Sequence, residues 1–159
     1  MNDWADFFVA QVGASGALAG LVIVAISINL SRIVAFPWLP GRAAETLVAP
    51  TGVLIVSTYA LVPVKEAVTL GVELLCVGAA MWLIPTIFQF RAMRAPDNSR
   101  VAVVRRFFLN QASSLPVIGS AYLILVHDPD ALYWLVPGVT FSLIATVINA
   151  WVLLIEILR

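Results

Sequence analysis

Five long apolar runs dominate the chain, each bounded by proline, glycine or charge. They cover about Phe7 to Leu30, Thr46 to Val62, Ala67 to Phe90, Phe107 to Val126 and Leu132 to Ile155. A helix needs roughly 17–25 apolar residues to cross the hydrocarbon core of a bilayer, and every run is near or above that length. The gaps hold the breakers and charges: Phe36-Pro37-Trp38-Leu39-Pro40-Gly41-Arg42, then Pro63-Val64-Lys65-Glu66, then Arg91 to Arg106, then His127-Asp128-Pro129-Asp130. Continuous apolarity over such lengths argues against a water-soluble helix bundle. The pattern predicts an all-α fold: an integral membrane bundle of five transmembrane helices forming a single domain over residues 1–159.

Composition agrees. Apolar residues make up 62% of the chain and charged residues only 11%, with a mean hydropathy of +1.01. A soluble domain carries roughly 25% charged residues, so this chain lacks the means to clothe a water-facing surface. The acidic start (Asp3, Asp6) and the length of the first run do not fit a cleavable signal peptide. The single cysteine, Cys76, excludes an intramolecular disulfide within the chain.

The zero net charge hides an asymmetry. Across five spans, Arg32, Arg42, Arg91, Arg94, Arg100, Arg105, Arg106 and Arg159 fall on one side, and Lys65 alone falls on the other. Basic residues concentrate on the cytoplasmic side of membrane proteins, so the expected orientation is N-terminus outside and C-terminus cytoplasmic. Trp4, Tyr59, Tyr133 and Trp134 near the outer ends, and Trp38 and Phe90 near the inner ends, match an interfacial aromatic belt.

Helical periodicity then sorts faces. In the first span Gly13, Gly16, Gly20 and Ser27 share one side, with Gly16 and Gly20 a GxxxG pair that permits close helix approach. Gln11, Ser15 and Asn29 lie opposite. Small residues on one face and amides on the other suggest the central helix of the bundle, enclosed on both sides. In the fifth span Ser142, Thr146, Asn149 and Glu156 form one stripe, and Asn110, Ser113 and Ser114 form a similar face in the fourth. Such stripes avoid lipid; they serve either interhelical hydrogen bonding or the wall of a solvated cavity. Glu73 lies about two turns inside the third span, roughly 10 Å deep. It is either a structural polar anchor or a proton or cation site, with Gln11 a candidate partner. The Arg42–Glu45 and Glu156–Arg159 pairs read as interfacial structural pairs. Pro50, Pro85, Pro116 and Pro137 fall inside spans, where each is expected to kink its helix.

Other chemistry is sparse. His127, Asp128 and Asp130 could be read as metal ligands, but a helix-capping role for Asp128 or Asp130 explains them better. No phosphate loop, metal-binding histidine pair or nucleophile elbow occurs, so neither an enzyme nor a metal or cofactor protein is expected, and no nucleic-acid partner. Arg91, Arg94, Arg105 and Arg106 are candidates for anionic lipid headgroups.

The run from Gly13 to Val22 ending in Ser27-Ile28-Asn29-Leu30, with the segment Leu39-Pro40-Gly41-Arg42-Ala43-Ala44-Glu45-Thr46-Leu47, resembles a set of uncharacterised small bacterial multi-pass membrane proteins. The likeness covers roughly the first third of the chain and implies a bacterial inner-membrane protein, with no activity to carry over. Two functions are therefore expected as alternatives. One is a homo-oligomeric channel or transporter for an ion (a cation favoured) or small solute, with Gln11, Ser15, Glu73, Asn110, Ser142, Thr146 and Asn149 on its polar faces. The other is a non-transporting accessory or regulatory subunit bound to another membrane protein.

Overall fold

A computed structural model describes residues 4–36, 39–63, 66–93 and 100–156, with side chains through Leu154. Trp38, Lys65, Arg94 and the Glu156–Arg159 pair therefore lie outside the described side chains. Among the described residues the chain is all-α, 92% helical, with no strand. The elements are α1 (Ala5–Ile28), a short α2 (Leu30–Ala35), α3 (Leu39–Ala60), α4 (Ala67–Met93), α5 (Arg100–Leu125), a 3₁₀ turn (Ala131–Trp134), α6 (Leu135–Trp151) and a π-helical turn (Val152–Glu156). Five helices are long and apolar enough to cross a membrane.

Two helices start earlier than the hydrophobic runs suggest. α3 begins at Leu39, not near Thr46, because Pro40 sits in its first turn, where a proline has no hydrogen bond to lose. α5 begins at Arg100, not Phe107, so that Arg105 and Arg106 are helical. Pro137 likewise occupies the first turn of α6, whereas Pro50, Pro85 and Pro116 lie inside α3, α4 and α5. The expected kink therefore applies to three prolines, not four.

Contacts fix the helix directions. Trp4 at the start of α1 packs edge-on against Tyr133, ring centroids 4.9 Å apart. At the opposite end the Asn29 side-chain amide donates to the Ala25 carbonyl at 3.0 Å and to the Leu153 carbonyl at 3.2 Å. α1 and α6 thus run parallel. Asn29 is buried and ends α1 with a bend (φ −101°, ψ 12°), and its distant acceptor lies in the π-helical turn. Arg32, Arg42, Arg91, Arg100, Arg105 and Arg106 all fall at this second end of the bundle, called here the basic end.

The core is layered along the bundle axis. Phe8, Val56, Leu70, Leu74, Val117, Ala121, Ile124, Ala131 and Leu135 form the main apolar cluster, toward the end opposite the arginines. Val53, Met81 and Val139 continue it. Close approach within the bundle uses glycines other than the expected ones. A Cβ at Gly138 would lie 2.9 Å from Val117 Cγ2 and 3.1 Å from the Ser113 carbonyl, so only glycine lets α6 meet α5 there.

α1 is not the central helix. Only 17% of its apolar window is buried, against 28–44% for the other four spans. Its inward residues Phe8, Ser15, Val22 and Ala25 form one stripe, at spacings of seven, seven and three. Gly13, Gly16 and Gly20 face away, with nothing within 4 Å of a Cβ built on any of them. The expectation of protein on both faces fails within one chain because the amide side alone packs inward.

Candidate functional site

Between the apolar core and the basic end lies a polar layer built from three helices. Glu45 is about 9 Å from the start of α3, Arg106 about 9 Å from the start of α5, and Gln89 about 6 Å from the end of α4. All three side chains are buried. Arg106 Nη1 donates to Glu45 Oε2 at 3.2 Å, and Gln89 Nε2 donates to Glu45 Oε1 at 2.5 Å. Arg106 Nε reaches back to the Ala102 carbonyl at 3.4 Å. One carboxylate thus ties three helices together, with its charge balanced by a guanidinium and its second oxygen satisfied by an amide. Isolated charge in a low-dielectric interior is prohibitively costly, and pairing with extra hydrogen bonds is what makes it tolerable.

Sequence spacing pointed from Glu45 only to Arg42, one turn away. Arg106, expected among headgroup ligands, instead turns inward, while Arg91 and Arg105 are exposed at the basic end. A basic residue, Arg106, thus lies buried within the helix of the fourth span. Gln89 was not singled out at all. The available signal was that Glu45, Gln89 and Arg106 each lie close to the arginine-rich end of their apolar runs.

A small cavity of about 30 Å³ adjoins the pair, bordered by Glu45 and Arg106 and by Asn110, Ser113 and Asn149. Two polar-face candidates, Asn110 and Asn149, are therefore brought to the ion pair. Asn110 also joins α5 to α4: its Nδ2 donates to the Trp82 carbonyl and to Thr86 Oγ1, both at 3.3 Å. Beside it the Trp82 indole N–H donates to Gln111 Oε1 at 2.8 Å.

The other candidates lie elsewhere. Ser142 and Thr146 face inward as their stripe suggests and are fully buried. Their hydroxyls, however, donate to carbonyls of their own helix, Gly138 and Ser142, both at 2.8 Å. Ser15 does the same toward the Gln11 carbonyl. Glu73 and Gln11 are half-buried nearer the opposite end, away from the polar layer.

His127, Asp128 and Asp130 do local work. His127 has a left-handed backbone (φ 62°) just past α5. The Asp128 N–H bonds the Leu123 carbonyl at 2.9 Å and the His127 N–H bonds that of Ile124 at 3.1 Å, a Schellman ending. Asp128 Oδ1 accepts the Asp130 N–H at 2.9 Å, an Asx turn and not a cap on the following helix, and Asp130 makes no side-chain cap. Among the described residues no group of three or more such side chains could hold a metal ion.

No family model matches the chain, and neither a curated protein nor a solved structure does.

Proposed function

We propose that this chain is a multi-pass protein of the bacterial inner membrane, N-terminus outside, that assembles with copies of itself to move an ion or small polar solute. The observation that carries this is the buried Glu45–Arg106 pair, completed by Gln89 and opening on a cavity bordered by Asn110 and Asn149. Ionisable groups inside membrane spans are costly and mark ion and proton pathways more often than ordinary packing. Along the bundle axis the polar layer is followed by the apolar residues Val53, Met81 and Val139, so the path continues between subunits. The open face at Gly13, Gly16 and Gly20 supports such assembly, because missing side chains let a neighbouring helix approach closely. Glu73, a carboxylate near the opposite end, favours cations there.

One observation favours the second function, an accessory subunit. Ser142 and Thr146 spend their hydroxyls on their own helix, so the most regular polar stripe lines no path within a subunit. Cation flux into proteoliposomes, measured with the oligomeric state of the same preparation, separates the two. The transport function predicts an oligomer whose flux falls in Glu45→Gln and Glu73→Gln. A silent monomer that co-purifies with a different membrane protein establishes the accessory role instead.

A further inference from the structure

The cavity beside the ion pair is bordered by polar groups whose hydrogen-bonding capacity exceeds the bonds described above. Arg106 spends Nε on the Ala102 carbonyl and Nη1 on Glu45. Its Nη2 carries two further N–H donors, and the side-chain amide of Asn149 borders the same cavity. Ser113 Oγ donates to the Asn110 carbonyl at 3.0 Å and keeps its acceptor capacity. Met81 and Pro85 border the cavity too, and Pro85 lacks the N–H that the Met81 carbonyl, four residues earlier, would accept in a regular helix. Unpaired polar groups at membrane depth are expensive, and lipid offers them no partner.

We infer that this cavity is a water-binding site, holding one or two ordered waters that bridge Arg106 to Asn149 and hydrate the Glu45 carboxylate. The volume decides the occupant. A water needs on the order of 10–15 Å³ of such space and two to four polar partners, so about 30 Å³ takes one or two waters and excludes a phosphate or an organic solute. Cavities that stay dry are lined by apolar side chains, whereas five polar residues border this one. The inference stands whether or not the chain transports anything.

Met81 makes the test direct. Its side chain borders the cavity and is 3% exposed, while Met93 at the basic end is 43% exposed. Hydroxyl-radical footprinting of the purified chain in lipid nanodiscs generates radicals from waters in place and reads thioether oxidation by mass spectrometry. The expected result is Met81 oxidation at a rate comparable to that of Met93, falling severalfold in Asn149→Leu and in Ala49→Leu, which fill the cavity from α6 and α3. An unmodified Met81 beside a modified Met93 in the unaltered chain overturns the inference. So does unchanged Met81 oxidation in both filling variants, because the radicals then arrive through the apolar groove that Met81 also borders between α3 and α4.

Discussion

Arg106→Met tests whether the buried charges work as a unit. The two side chains are 6% and 7% exposed, with 3.2 Å between Nη1 and Oε2. Removing the guanidinium leaves Glu45 with the Gln89 amide, and stranding one member of a buried pair costs about 3–5 kcal/mol. Glu45→Gln strands Arg106 in the same way and should cost a similar amount. The double variant Glu45→Gln/Arg106→Met carries neither charge, and replacing a whole buried pair is often neutral or stabilising. The double variant should therefore be more stable than either single one, with a coupling energy of about 3 kcal/mol or more. Ordinary interhelical hydrogen bonds in membranes couple by only about 0.6 kcal/mol on average and about 1.7 at most, so the expected value distinguishes an ion pair from a polar contact. Equilibrium unfolding in mixed bicelles, followed by fluorescence of the five tryptophans, supplies all four corners of the cycle. If the single losses add to within about 0.5 kcal/mol of the double, the charges act independently and the pairing argument is wrong.

Three further outcomes follow from the geometry. Gly138→Ala places a methyl against the Ser113 carbonyl and Val117 and should cost about 1–3 kcal/mol in the same unfolding assay, whereas Gly16→Leu should leave the subunit's stability unchanged and weaken only its assembly. His127→Gly relieves a left-handed backbone in a side-chain-bearing residue and should raise stability by on the order of 0.5–1 kcal/mol, the strain relieved less the added chain entropy; a loss would mean the imidazole makes a contact of its own. In a Cys76→Ser background, cysteines at Lys65 and Asp130 should react with an impermeant thiol reagent on intact cells and one at Asn98 should not, the reverse pattern inverting the orientation.

The five helices were legible because each apolar run is long enough for a membrane-spanning helix and is bounded by proline, glycine or charge. Their basic-end boundaries were not, because arginine and proline-glycine are ordinary loop signals. Arg106 defeats that signal by finding Glu45 from another helix, a partner 61 residues away that no periodicity can announce. Periodicity did place Ser142 and Thr146 on a buried face, but it cannot say whether a hydroxyl bonds a neighbour or the carbonyl one turn back. Glycine spacing misled in a different way. Gly16 and Gly20 form a recognisable pair yet meet nothing within the chain, while the solitary Gly138 sits at a helix crossing. A motif records that close approach is permitted, and only the fold decides where it happens.

The Asn29 amide has a consequence for biosynthesis. Its acceptor, the Leu153 carbonyl, lies 124 residues downstream. At the ordinary pace of translation, about 5–20 residues per second, the acceptor is made roughly 6–25 s after its donor. Throughout that interval the Asn29 side-chain amide has only the Ala25 carbonyl of its own helix to bond, and the first helix is held mainly by packing against α3. The clasp can close only once the π-helical turn has formed, so it acts late, as the step that fastens the earliest-made helix to the latest. Nascent chains halted before position 153 should for that reason be the ones cleared by quality control, even though all five spans are nearly complete by then.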